Sequence, residues 1–101
     1  MRVRFTPEAI NSAREKHAWW IEHRQEAPRL FADELAAVIA RLRAGDDHAR
    51  RLFAVRAGRQ VWRLLMPRTK LHVYYRFDLA GDVEILLLWN ATAGSLPPLP
   101  R

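Results

Sequence analysis

Cysteine is absent from the 101 residues, which excludes a disulfide framework, a thiol nucleophile and a thiolate zinc site. No apolar run approaches the ~20 residues that span a bilayer. The opening Met1-Arg-Val-Arg-Phe5 is followed by no apolar h-region of a signal peptide. A cytoplasmic protein without a membrane segment is expected. Acidic residues are scarce in one half only. Residues 51–101 hold eight Lys/Arg against three Asp/Glu, whereas residues 1–50 hold nine against eight. The formal charge of +6 therefore belongs mostly to the second half, a balance that fits an anionic partner and equally a solubilising surface. Paired carboxylates at a credible site, a glycine-rich phosphate loop and a metal-ligand cluster are also missing. His17 and His23 are six apart, neither three nor four, so they do not form a metal pair on one helical face. No metal or cofactor is expected.

Half of the residues are hydrophobic, which at this length supports one domain with a single modest core. The stretch from Gln60 to Asn90 organises the rest. Three apolar, β-branched and aromatic runs, 60–66, 71–77 and 83–89, are bounded by Pro67 and by Asp78-Leu-Ala-Gly-Asp82. Runs this short with short connections predict an antiparallel meander. Ahead of it, Arg2-Val-Arg-Phe5 alternates basic and apolar residues, as an edge strand does. Thr6-Pro7-Glu8 combines an N-cap, a first-turn proline and a first-turn acid, and predicts a helix over 7–24. Its apolar stripe reads Ile10, Ala13, His17, Trp20 and Ile21. A second helix is predicted over 28–43, with Phe31, Leu35, Val38, Ile39 and Leu42 inward and Gly45 as its stop. Leu52–Val55 is a further strand that turns at Ala57-Gly58. The tail after residue 90 carries three prolines and cannot stay in regular structure. No internal repeat and no second domain is found: residues 1–90 form the domain and residues 91–101 the tail.

The predicted order is strand, two helices, then four strands, an α+β fold with a helical hairpin on one face of a mainly antiparallel sheet. Ile10, Trp20, Phe31, Leu35, Val38, Leu42, Val73, Tyr75, Ile85 and Leu87 are expected to be buried together. The last strand is apolar from Ile85 to Trp89, so it is expected inside the sheet with both faces covered. In the strand before it, alternation sends Leu71, Val73, Tyr75 and Phe77 toward the helices and His72, Tyr74 and Arg76 to the other side. That other side, open or only partly covered, is where function is sought. Arg56, Arg59, Arg63, His72, Tyr74 and Arg76 form a candidate target-binding face. Tyr74 with Arg63 and Arg76 suits stacking and phosphate pairing; pairing with Asp78 or Glu84 across the sheet is the plainer alternative. His72 has the plain reading of a solvated strand histidine, and His17 that of a half-buried one. Trp19 and Trp20 are adjacent and cannot share one helical face, so one is core and the other exposed or at an interface.

Three local patterns resemble the RelE/ParE superfamily of bacterial toxins: Val3-Arg-Phe-Thr-Pro-Glu-Ala9; Val61-Trp-Arg-Leu64 followed by His72-Val-Tyr-Tyr-Arg-Phe77; and Val83-Glu-Ile-Leu-Leu-Leu-Trp89. The order of elements is similar too, and the second pattern is closer to the ParE branch. The resemblance implies the toxin of a type II toxin–antitoxin, or plasmid stabilisation, system, neutralised by a cognate antitoxin in a hetero-oligomer. In the ribonuclease branch, basic groups on the sheet hold mRNA at the ribosome and stabilise the transition state. Those positions read Val61, Arg63 and His72 here, and Asn90-Ala-Thr-Ala93 after the last strand supplies neither imidazole nor guanidinium. Arg63 and His72 are the candidate catalytic groups that remain. The departures point to a ParE-like protein that inhibits growth by binding a target such as DNA gyrase, or to an inactivated toxin. A RelE-like mRNA endonuclease and a non-catalytic nucleic-acid-binding module are the alternatives.

Overall fold

The computed structural model describes residues 1–92 and 94–99. Its elements are β1 (Val3–Phe5), α1 (Pro7–His23), α2 (Leu30–Arg43), β2 (Arg51–Arg56), β3 (Arg59–Met66), β4 (Leu71–Phe77) and β5 (Val83–Asn90). Both helices pack on one face of a five-stranded mixed sheet of order β1-β5-β4-β3-β2. β1 runs parallel to β5, and the other three pairs are antiparallel.

Local chemistry accounts for the boundaries. The Thr6 hydroxyl accepts from the Ala9 amide at 3.1 Å and starts α1 one residue ahead of Pro7. Gly45, at φ +75°, ends α2, and the Asp46 amide donates back to the Arg41 carbonyl. Ala57 and Gly58 both have positive φ, the twist that a two-residue hairpin turn requires. The first turn of α2 differs from expectation. Residues 27–29 form a turn ahead of it, Leu30 begins the helix, and Arg29 supplies no side-chain cap. Pro28 thus precedes the helix instead of opening it.

The helix-covered core unites Phe31, Val38 and Leu42 of α2 with Leu64, Val73, Tyr75, Ile85 and Leu88 of the sheet. Trp20 and Leu35 are partly buried against it. Two expected members belong elsewhere. Ile10 is 39% exposed, and Ile21 and His17 also face solvent. The inward stripe of α1 runs one residue earlier, through Ala9, Ser12 and Ala13 to Lys16 and Trp20. The cause is close approach. Small residues let α1 lie directly on β5, where its hydroxyls satisfy the strand edge that β1 leaves free after three residues. The Thr6 amide donates to the Ile85 carbonyl, the Thr6 hydroxyl to the Leu86 carbonyl, and the Ser12 hydroxyl accepts from the Leu88 amide at 3.0 Å. Ser12→Ala would leave that amide buried without a partner. It is expected to cost about 1–3 kcal/mol, read from urea unfolding.

Leu87 is the second correction. Tyr74 opposes Leu87 but Tyr75 opposes Ile85, so β5 bulges at Leu86. One extra residue turns both Leu86 and Leu87 to the helix-free face. There they form a second cluster with Val61 and Tyr74, bordered by Phe53, Trp89 and Leu99. This cluster explains how β5 is apolar at successive positions: it is interior to the sheet and covered on both sides. The tail contributes to that cover. Pro97 is buried, Leu99 packs on the cluster, and the Trp89 indole donates to the Ser95 carbonyl at 3.2 Å. No helix among the described residues is long and apolar enough to cross a membrane.

Candidate functional site

Strand alternation and register bring the six candidate residues to the helix-free face. Arg63 opposes Tyr74, His72 lies between Leu65 and Trp89, Arg76 opposes Glu84, and Arg56 opposes Arg59 beside the β2–β3 turn. They do not form one open basic patch. Tyr74 is 2% exposed, with Phe53 edge-on at 4.9 Å between ring centroids, so it is a core residue of the second cluster. Arg76 donates to Glu84 at 2.8 Å with both side chains about 15% exposed, and this is the cross-sheet pairing weighed for it. Glu84 and Asp78 are further engaged by Arg4 at 3.1 and 3.0 Å. Hydrogen bonds from the Asp82 and Ala80 amides, together with Arg4, hold the Asp78 carboxyl below its usual range. Arg59 donates to the Phe77 carbonyl at 2.7 Å. The Arg63 guanidinium rests 5.4 Å from the Phe53 ring centre.

Of the candidate catalytic positions, Val61 is fully buried. His72 is part-buried edge-on to Tyr74. Burial first, and the Arg63 charge second, push its pKa below the ordinary imidazole value and so favour the neutral ring. The Asn90 carbonyl oxygen of the side chain accepts from the Thr92 amide and hydroxyl; Ala93, Pro100 and Arg101 lie outside the described residues. The face thus sets Arg63 and one weak base, His72, beside an apolar centre, with Arg51 and Arg56 farther out on its β2 edge. Its carboxylates are held in ion pairs at one end of the sheet.

Sequence reasoning passed over a second concavity. The second half of α1, the β3–β4 turn and the end of β5 enclose a cleft of about 630 Å³. Lys16, Trp19, Trp20, Arg24, Arg68 and Lys70 line it. Trp20 is partly buried and its indole donates to the Ala27 carbonyl at 2.8 Å, while Trp19 is 45% exposed. The split between core and surface for this pair is the expected one, but both border the same cleft. The signals available were the spacing of Lys16 and Trp20 by one helical turn and two cations, Arg68 and Lys70, in a four-residue turn. Among the described residues, no group of three His, Asp or Glu is placed to hold a metal ion.

The chain matches no model of a known protein family, no curated protein and no solved structure.

Proposed function

We propose that this chain is the toxin of a type II toxin–antitoxin system, ParE-like in fold and mode of action. It arrests growth by binding a cytoplasmic target such as DNA gyrase, and a cognate antitoxin neutralises it. The observation that carries the binding mode is the composition of the helix-free face. Its centre, Val61, Tyr74, Leu86 and Leu87, is packed and apolar; of its arginines, Arg76 is paired, Arg59 is bonded to a carbonyl and Arg63 is stacked on a ring, while Arg51 and Arg56 make no ion pair among the described residues. With that centre sealed, a partner is left the rim of the face, Arg51, Arg56, Arg63 and His72, which supports binding by scattered groups; cutting RNA through its 2′-hydroxyl needs an acid, a base and a cation together at the scissile phosphate. The element order, with β1 added parallel to β5, supports the resemblance at the level of architecture.

The antitoxin reading is supported by the free edge of the sheet. β2 is an outer strand, and Leu52 and Val55 on it are 52% and 56% exposed beside Arg51 and Arg56. An acidic segment, disordered alone, would add a strand there and gain order on binding. Charge attraction would speed its association. Co-expression with the product of the adjacent reading frame, followed by gel filtration, is expected to give one co-eluting complex and to relieve growth arrest. Separate elution at micromolar concentration, with arrest unrelieved, contradicts the proposal.

A further inference from the structure

From the cleft between α1 and the β3–β4 turn we infer a binding site for a nucleotide unit, a phosphate ester carrying a planar base. The site is cationic without being neutralised. Lys16, Arg24, Arg68 and Lys70 line it, with Glu15 the single acidic residue among the described lining residues. None of the four cations lies within ion-pair distance of a carboxylate among the described residues. The contrast with the opposite end of the strands is sharp, since Arg4 and Arg76 there are paired with Asp78 and Glu84. Four unpaired cations around one concavity repel one another and raise the local concentration of anions.

The walls are fixed in ways that solvated surface lysines are not. Glu34 of α2 accepts from the Arg68 amide, the Thr69 amide and the Thr69 hydroxyl at 2.7–3.0 Å. Three hydrogen bonds to one carboxylate lock the turn that carries Arg68 and Lys70. Lys70 itself is held at φ +61°, bonded through its amide to the Met66 carbonyl and through its carbonyl to the Ala91 amide. A lysine at a conformation natural to glycine is strained, and strain of this kind concentrates where a side chain must be aimed. On the facing wall, the Trp20 indole is fixed by its bond to Ala27, and the Arg24 guanidinium lies 5.5 and 5.9 Å from the two indole centres. His23 stacks on Trp19 at 4.7 Å between ring centroids and fixes that indole too, so the outer side of the Arg24 guanidinium and the indole rims give a base its stacking surface, and the lysines with Arg68 reach its phosphate. The volume falls in the ~300–1,000 Å³ range of small-ligand sites, enough for a nucleotide and open enough for a strand to pass.

Calorimetric titration of the full chain with adenosine 5′-monophosphate, a short oligoadenylate RNA and inorganic phosphate tests the site. Both nucleotide probes are expected to bind more tightly than phosphate. A free nucleotide as ligand gives equal affinity for the two nucleotide probes. A single strand as ligand gives tighter oligoadenylate binding with a log–log salt slope of about −0.7 per phosphate contacted. The double variant Arg68→Glu with Lys70→Glu should weaken nucleotide binding about tenfold or more and flatten the salt slope. Arg51→Glu, on the helix-free face, should leave binding within about twofold, because it is remote from these contacts. An unchanged melting curve for each variant establishes that the fold is intact. Failure of both nucleotide probes to bind at millimolar concentration overturns the site, as do phosphate binding as tightly as the nucleotides and equal losses from Arg51→Glu. The cleft is on the helix-bearing side, away from the face assigned to target binding, so a negative result here leaves the toxin proposal standing and the converse holds as well.

Discussion

Leu42→Ala is expected to lower the unfolding free energy by about 2–5 kcal/mol, the range for removing a leucine from a packed core. Leu42 is 1% exposed and closes the C-terminal end of α2 over the sheet, in one cluster with Phe31, Val38, Tyr75 and Ile85. The lost side chain leaves a cavity, because a core at native density relaxes only in part. Leu35→Ala, at a partly buried position, should fall at the lower end of that range. Ile10→Ala is the informative contrast. It lies on the stripe that periodicity marks as inward, yet it is 39% exposed, so its loss should be below about 1 kcal/mol. Urea unfolding with an unchanged m-value reads all three. If Ile10→Ala costs as much as Leu42→Ala, α1 is rotated on the sheet from the orientation that Thr6 and Ser12 give it.

That rotation marks the limit of what periodicity can decide. α1 offers two plausible stripes one residue apart, and hydrophobicity favours the one through Ile10 and Ile21. Packing distance chooses the other, since Ala9, Ser12 and Ala13 permit the hydrogen bonds to β5. β4 was legible because strict alternation left one choice of face, and the Thr6 cap, the Gly45 stop and the Ala57-Gly58 turn were legible because each depends on a few adjacent residues. The bulge at Leu86 was hidden, because a continuous apolar run has no alternation from which a slip can be noticed. The cleft was hidden for another reason. It joins residues 16–24 to residues 68–70 and the end of β5, and only tertiary structure brings them together. For the helix-free face, alternation grouped the right residues but could not say which were free. Glu84 holds Arg76, and Tyr74 lies beneath Phe53 and Leu87 as part of the core.

The second large expectation concerns chemistry, and it follows from that face. RNA cleavage by a ribose 2′-hydroxyl requires the proton to leave the nucleophile, a proton to reach the leaving oxygen, and positive charge at the phosphate. Burial and the Arg63 charge favour the neutral form of His72, and Arg63 is a cation, but no free acid stands beside them among the described residues, and Val61 occupies a position where the resemblance would place a base or cation. Each missing charge-stabilising donor costs about 10²–10³ in rate. Two such losses would slow cleavage by about 10⁴–10⁶, so no efficient ribonuclease activity is expected. Growth arrest is therefore expected to arise from a target held rather than a bond broken.

Mapping RNA 5′ ends in cells after induction of the protein tests this most directly. The expected result is arrested growth and altered plasmid supercoiling, with the same RNA ends as in uninduced cells. Abundant new ends that disappear in the His72→Ala variant would contradict it and assign the arrest to an endonuclease.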